Sequence, residues 1–454
     1  MTRNQGVVAR WVSGLLTAGC LSSTGVLAAP PGVVDEERTV STAAQANAAA
    51  ADSQAADEFD ALPMNMNNPG SIVDRLEEDA APKEYLFQFP GVSRVLKPWY
   101  DFKDKLDEKH GFKFGISYTA YYQKASDNFG PEDDAAGFDL DISGTWTFFG
   151  RGTDSPAMLG FDVFRRDTLG TDIPPQRLFT QYGALYSGAA PYGEEDLVIG
   201  ELWLQQKFRN RFGYRIGKIF PITAYDFFPF KNFRTDFVDF NQVTNAAIPL
   251  PGNGLGAFVV YRPQPSIMLR LGAHDANADV QESGFDTYNK GELFTIFEVG
   301  VDTGLVPRVP GRPPFGHVHV SLWHQDNRKD AGIDDGRGIG VSALQRFGRF
   351  TPFVRYGYAD GGANGPTPVK HMANAGLVID GIFGQANDRI GVGYTWSNPE
   401  DSTLDNQGAI DAYYRVQLTP EIQVGPTLEV IFDPVRNPDE DTVYVWGFRT
   451  RLEF

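Results

Sequence analysis

Residues 442–454 read T-V-Y-V-W-G-F-R-T-R-L-E-F. With period two, one face carries Tyr444, Trp446, Phe448, Leu452 and Phe454, and the other Gly447, Arg449, Arg451 and Glu453. An edge strand of a soluble β-domain also alternates. It rarely sets aromatics so completely against charges, and it rarely ends a chain on an aromatic. A strand with lipid outside and water inside needs both features: apolar and interfacial rings outward, polar groups toward a lumen.

The composition allows that reading. The chain has 454 residues, enough for two or three soluble domains or one large barrel. A mean hydropathy of -0.29 excludes a bundle of membrane helices, but not a barrel, whose lumen-facing residues dilute the average. No uninterrupted apolar run long enough to span a bilayer as a helix follows the first 30 residues. A formal charge of -18 argues against binding a phosphate backbone. Cys20 is the single cysteine, so neither an intrachain disulfide nor a cysteine metal site can form.

Residues 1–29 have the form of a secretory signal: Arg3 and Arg10, an apolar stretch over 11–27, then Ala28 and Ala29. A rival reading takes residues 16–20, L-T-A-G-C, as a lipoprotein box with Cys20 lipidated; Thr17 fits that box poorly. Residues 30–95 are rich in Ala, Ser, Asp, Glu, Gln and Asn and poor in large apolar groups. Such composition predicts a flexible periplasmic extension, with transient helix at 41–56. Over 96–111, Trp99, Phe102 and Leu106 recur at helical spacing between Pro98 and Gly111, which predicts a short amphipathic helix leading into the first strand.

From residue 112 the period is two and stays two. Phe112, Phe114, Ile116, Tyr118 and Tyr122 share one face; Lys113, Ser117, Thr119 and Gln123 share the other. Further strand-like runs fall near 138–148, 157–164, 197–208, 212–219, 254–262, 266–274, 292–302, 316–324, 338–346, 350–358, 373–380, 387–396, 410–418, 422–431 and 442–454. The connections alternate. Those at 209–211, 262–265, 347–349 and 419–421 are short, whereas 165–196 and 220–253 are long and 275–291, 325–337 and 397–409 intermediate. The Pro-rich link 303–315 breaks the rule. Short periplasmic turns opposite long outer loops are the habit of outer-membrane barrels. The fold expected is all-β: a transmembrane antiparallel β-barrel of about 16 strands over residues 96–454, with a short N-terminal helix and long extracellular loops.

Several stretches are similar to the OprB-type carbohydrate-selective porins. They are L-W-L-Q-Q at 202–206 with R-I-G-K at 215–218, the helix at 99–111, the run 245–261, the turn 271–277, the strand 294–300, Y-Y-R-V-Q-L-T-P at 413–420, then 428–430 and 446–454. In the helix, Phe102 and Lys103 replace the family's Leu-Arg pair. No one motif is specific; their order and spacing are. The resemblance covers about 96–454. It implies a 16-stranded outer-membrane porin passing monosaccharides down their gradient, without cofactor, metal or energy input. A chain ending in Phe454 also resembles the C-terminal signal read by the barrel-assembly machinery. Around the barrel the expected partners are outer-membrane lipid and lipopolysaccharide, with the choice between monomer and trimer open.

A sugar-conducting lumen needs charged and polar groups that hydrogen-bond hydroxyls, and aromatic faces for stacking. Period-two parity nominates Glu201, Trp203, Gln205, Arg215, Arg270, His274, Glu298, Trp323, Arg355, Arg389, Arg415 and Glu429 as pore-lining, solute-contact candidates. The plainer alternative is a lattice of wall charges with no solute preference. Arg–carboxylate pairs across the opening would cast a transverse field that favours polar neutral solutes. The long loops 165–196 and 220–253 are the natural elements to narrow the bore. The second holds Phe227, Phe228, Phe230, Phe233, Phe237 and Phe240, which either line a sugar path or pack against the inner wall.

Enzyme readings find little support. His317 and His319 share a strand face with His324 nearby, but no matching carboxylate stands beside them in the sequence. No nucleophile elbow, phosphate loop or His-Glu-x-x-His motif is present. The acidic loop 326–335 lacks the ligand spacing of a dedicated calcium loop. The catalytic expectation is therefore none.

Overall fold

The computed structural model describes residue 64 and residues 66–186, 188–303, 316–361 and 369–454. The signal at 1–29 with Cys20, the helix read at 41–56 and most of the Pro-rich link 303–315 lie outside the described residues.

Among the described residues two longer helices precede the sheet: α1 (Ile72–Ala80) and α2 (Pro90–His110). The strands are β1 (Phe112–Ala125), β2 (Asp134–Phe149), β3 (Ala157–Thr168), β4 (Glu195–Phe208), β5 (Phe212–Ile219), β6 (Gly254–Gln264), β7 (Ile267–Asp275) and β8 (Leu293–Asp302). They continue as β9 (Gly316–Gln325), β10 (Gly336–Gln345), β11 (Phe350–Gly361), β12 (Val369–Asp380), β13 (Arg389–Pro399), β14 (Gln407–Thr419), β15 (Ile422–Phe432) and β16 (Thr442–Glu453). Each strand pairs antiparallel with its sequence neighbours, and β1 pairs with β16 to close a barrel of sixteen. The sixteen runs read from the sequence are these sixteen strands.

Closure removes the free sheet edge that a membrane cannot tolerate, because every strand finds a partner for its backbone groups. At the seam Tyr121 stands opposite Arg449 and Ser117 opposite Glu453, so the polar face of the last strand continues onto the first. Along β16, Tyr444, Trp446 and Phe448 are exposed, while Val445, Gly447, Arg449, Arg451 and Glu453 are buried. Exposed rings Trp146, Phe148, Phe208, Phe212, Phe347 and Phe350 gather beside the short turns at 150–156, 209–211 and 346–349. That is an aromatic girdle at one interface. Among the described residues no helix is long and apolar enough to cross a membrane; here the strands cross.

The turn joining β4 to β5 shows how tightly that end is drawn. Arg209 and Asn210 both adopt left-handed backbone, φ 47° and 51°, and the Arg211 N–H donates to the Phe208 carbonyl at 3.0 Å. Two left-handed central residues match the twist of the flanking strands.

The N-terminal region corrects two expectations. The helix expected from Pro98 begins at Pro90, and Pro98 lies inside it. Pro90 occupies the first turn, where its missing N–H is no loss. At the other end Gly111, φ 67°, stops the helix as expected, its N–H donating to the Asp107 carbonyl at 2.8 Å. Trp99 packs edge-on against Phe114 of β1, at 5.4 Å between centroids, so α2 lies on the barrel's outer face. The second correction concerns the extension over 30–95. Its stretch 66–76 is seated against the inner wall, with Met66, Ile72 and Arg75 buried, whereas 84–95 is largely exposed. Composition misleads there because Arg75, Glu78 and Asp79 of α1 find charged partners on the strands.

The lipid face supplies a direct check. Val354 sits mid-strand on β11 and is 58% exposed. We expect Val354→Arg to destabilise the barrel by about 2–4 kcal/mol, read as a lowered urea midpoint in lipid vesicles. An unchanged midpoint would mean that this face does not meet lipid.

Candidate pore and its lumen

The candidates nominated by parity face inward, and all but Arg389 are buried; Arg389 is half-buried. On β4 the parity holds only because of a local irregularity. The pairing with β3 shifts between Asp162 and Val163, so Ile199 points outward while the neighbours Gly200 and Glu201 are both buried. Glu201, Trp203 and Gln205 then alternate cleanly.

What these side chains meet is mostly protein. The loop 220–253 is folded into the bore, and its first turn is gripped by the wall. Asp226 is the hub. Its carboxylate accepts from the Arg355 guanidinium, from His319 Nε2 at 3.2 Å and from the Asn245 N–H at 3.0 Å. Its own N–H donates to Glu298 at 2.8 Å. Arg270 donates to the Ala224 carbonyl and to Glu298 at 3.3 Å, and His274 Nε2 lies 2.8 Å from the Tyr225 hydroxyl. Arg355 also donates to the Gln242 carbonyl at 2.9 Å. Arg270, His274, Glu298 and Arg355 are thus brought together, and together they hold residues 224–226.

A second set holds the far half of the same loop. Asp236 pairs with Arg389 at 2.8 Å and Arg415 at 3.7 Å, and it accepts from the Tyr413 hydroxyl at 3.1 Å. Arg449 donates to the Phe233 and Asp236 carbonyls at 2.6 and 2.9 Å. Asp411 accepts from the N–H groups of Val238 and Asp239 at 3.1 and 3.0 Å. Between the two sets Phe228, Phe230, Phe233 and Phe237 form one apolar cluster with Leu344, Phe353, Val378 and Tyr413. Of the loop's six rings these four pack against the inner wall, and Phe233 also lines a cavity.

The remaining candidates are dispersed. Arg215 stacks over Trp203 at 4.0 Å and donates to Gln205 at 3.1 Å, while Glu201 accepts from the Trp203 indole at 3.1 Å. Trp323 stacks on Phe294 at 6.3 Å, and Glu429 accepts from Gln123 at 3.0 Å. The loop between β3 and β4 also turns inward, burying Tyr182, Tyr186 and Tyr192. Tyr192 lies 5.0 Å from Tyr121 of β1, ring to ring.

Parity on β4 and the strands after it passed over the densest charge cluster, which lies on β2 and β3. Asp139 and Asp141 share the inner face of β2 with Asp162 of β3, and three guanidinium groups interleave with them. Arg166 meets Asp139 at 3.1 Å. Arg234 of the loop meets Asp139 at 2.6 Å and Asp141 at 2.9 Å. Arg75 of α1 meets Asp141 at 2.8 Å and Asp162 at 3.0 Å. The D-L-D-I-S alternation at 139–143 carried the signal for the carboxylates. Nothing local marks Arg75. In this cluster the ion pairs interleave neighbour to neighbour. On α1 itself, burial and the adjacent Glu78 and Glu77 carboxylates raise the Asp74 carboxyl to about 7.

Beside this cluster lies a cavity of about 50 Å³, lined by Asp162, Arg166, Glu201, Arg234, Phe164 and Phe233 among others. The histidines serve as hydrogen-bonding wall residues with carboxylate partners that the sequence did not reveal. His317 Nδ1 lies 2.8 Å from Asp302, and His319 bonds Asp226. Among the described residues no group of three or more His, Cys, Asp and Glu is placed to hold a metal ion.

Known proteins bear on this architecture. Porin AaxA of Chlamydia pneumoniae is 20% identical over 324 residues, 68% of this chain and 70% of that protein. The high-pH structure of OprB from Pseudomonas putida superposes with a TM-score of 0.62 at 16% identity, covering 78% of this chain and 97% of that one. At that identity the likeness is one of fold. The family model of carbohydrate-selective porins, OprB family, matches residues 170–454, more than half of the sequence. A closed ring of sixteen strands, loops turned into the bore and a match from the first inward loop to the last residue agree with one another, and the chain belongs to the OprB family of porins, barrels of the bacterial outer membrane.

Proposed function

We propose that the chain is a passive pore for small neutral carbohydrates, moved by their gradient alone. The observation that carries this reading is the cavity beside the interleaved charges. Guanidinium donors (Arg166, Arg234), carboxylate acceptors (Asp162, Glu201) and ring faces (Phe164, Phe233) share one lining. A sugar presents hydroxyls that donate and accept, together with C–H faces that lie on rings, so it can use every part of that lining. Because Asp162, Arg166 and Arg234 are already ion-paired and Glu201 already accepts from the Trp203 indole, a neutral solute needs to neutralise nothing, and its hold stays weak enough for release. The second reading is a general porin that also admits organic solutes. No covalent chemistry is required on either reading.

At about 50 Å³ the cavity is small beside the roughly 300–1,000 Å³ of sites that enclose small molecules. Passage therefore requires part of the lumen's contents to shift. On the same reading the chain is exported by the signal at 1–29 and inserted through its terminal strand with Phe454, its outward face meeting lipid and lipopolysaccharide.

Liposome swelling tests the proposal. We expect monosaccharides to enter faster than charged solutes of equal size, with the ranking naming the preferred sugar. Equal entry of both sets would make the protein a general porin. No entry through a folded barrel would remove the pore reading.

A further inference from the structure

We propose that residues 66–83 are a plug seated in the bore, and that Arg75 on it is a selectivity residue of the pore. The inference rests on the pore reading above, though not on which solute passes. The segment runs along the inner wall from β5 past β3, β2 and β1 to β16 and β14. At one end Arg215 of β5 donates to Asn67, and the Lys207 ammonium donates to the Met64 carbonyl at 2.9 Å. The Asn68 N–H then donates to the Thr223 carbonyl at 3.0 Å, joining the segment to the inward loop 220–253. Helix α1 follows, capped by Ser71. At the other end Glu78 meets Arg415 of β14 at 3.0 Å, Asp79 meets Arg451 of β16 at 2.8 Å, and Lys83 pairs with Glu453. From β5 to β1 is four strand steps, and three more through β16 and β15 reach β14, so the anchors stand nearly opposite on a ring of sixteen. A segment seated inside the bore over that arc takes up part of its cross-section.

Its anchoring is both apolar and ionic. Ile72 and Leu76 of α1 and Met66 before it join the apolar cluster of Trp203, Tyr225 and Phe258, and Arg75, Glu78 and Asp79 add ionic contacts. The Glu78 and Asp79 carboxylates keep some exposure and can exchange their guanidinium partners for water at modest cost, whereas the Arg75 pairs are buried and cost more to break. The chain also leaves toward the short-turn end, where the Leu86 and Phe87 N–H groups donate to the Gln417 and Leu418 carbonyls at 3.1 and 2.8 Å. Withdrawal along that route leaves every strand pairing intact.

The charge count makes Arg75 decisive. With it, three guanidinium groups (Arg75, Arg166, Arg234) face three carboxylates (Asp139, Asp141, Asp162). Without it, one carboxylate in the narrow region is unbalanced, and a lumen of that sign favours cations.

Single-channel recording in potassium chloride, with the full-length protein in planar bilayers, tests both parts. Arg75→Ala is expected to raise conductance severalfold and to move the reversal potential under a salt gradient toward potassium. Arg75→Lys is expected to keep the reversal potential of the parent. Deletion of residues 57–83 is expected to give a folded, heat-modifiable barrel with the largest conductance. Unchanged conductance and reversal potential in folded Arg75→Ala and in the deletion would overturn the proposal. So would failure of the deletion to assemble, because a plug is dispensable for closing the barrel and a core element is not. Ion conductance reads the plug whatever solute the pore prefers, so a failed sugar ranking in swelling leaves this test standing.

Discussion

Replacing Asp226 by alanine is expected to release the inward loop and to weaken the barrel by about 3–5 kcal/mol. The carboxylate is buried and receives Arg355, His319 and the Asn245 N–H, and Arg355 is itself fully out of solvent. Removing the acid leaves a guanidinium in the interior with one carbonyl partner, Gln242, which is the costly way to break a buried pair. The measured quantities are the urea midpoint in vesicles and the single-channel conductance; we expect the first to fall and the second to rise. Asp226→Ala combined with Arg355→Met removes both charges and should recover much of the midpoint, because an apolar replacement needs no partner. If the single variant keeps its midpoint, or the double variant is no better, Asp226 is not the hub of this loop.

Phe237→Ala is the second large effect, and it acts on the apolar side of the same loop. Phe237 is fully buried, edge-on to Tyr413 at 4.9 Å and to Phe353 at 5.9 Å, and stacked near Phe228 at 6.3 Å. Truncating a buried ring of this kind costs about 3–5 kcal/mol in transfer and cavity terms. The loop is held by both ionic and apolar anchors, so we expect it to loosen without leaving the bore. Stability should fall as much as for Asp226→Ala, while conductance rises less. Phe237→Leu should recover part of the midpoint, since it refills most of the void. A conductance gain in Phe237→Ala equal to that of Asp226→Ala would show that the rings, not the ion pairs, keep the loop in place.

Both predictions concern contacts that no strand pattern announces. Period two told which side chains of β16 face inward, and the same rule placed Arg270, Glu298 and Arg355 on the inner wall. It could not say whether those groups meet water, solute or protein. That depends on loop 220–253, whose backbone has no period and whose path is set by partners more than a hundred residues away, as in the pairing of Asp226 with Arg355. The six phenylalanines advertised that the loop hides from water, and the wall residues Phe353 and Tyr413 decided where. Local reading failed most completely at residues 66–83. A charged, apolar-poor stretch is expected to stay solvated, and only the opposed carboxylates of β2 and β3 give Arg75 a reason to order.

The sequence by itself determined the barrel: its sixteen strands, their inward and outward faces, the short turns at one end and the long loops at the other. Those properties follow from local alternation and from the demand that every backbone group in a bilayer be paired. Only the tertiary structure decided what fills the bore. The grip on Asp226, the seat of the phenylalanine cluster and the docking of α1 on β2, β3 and β14 are choices among distant partners. Many inward-facing charges would satisfy the pattern equally, and burial with a specific counter-charge is what selects one arrangement from them.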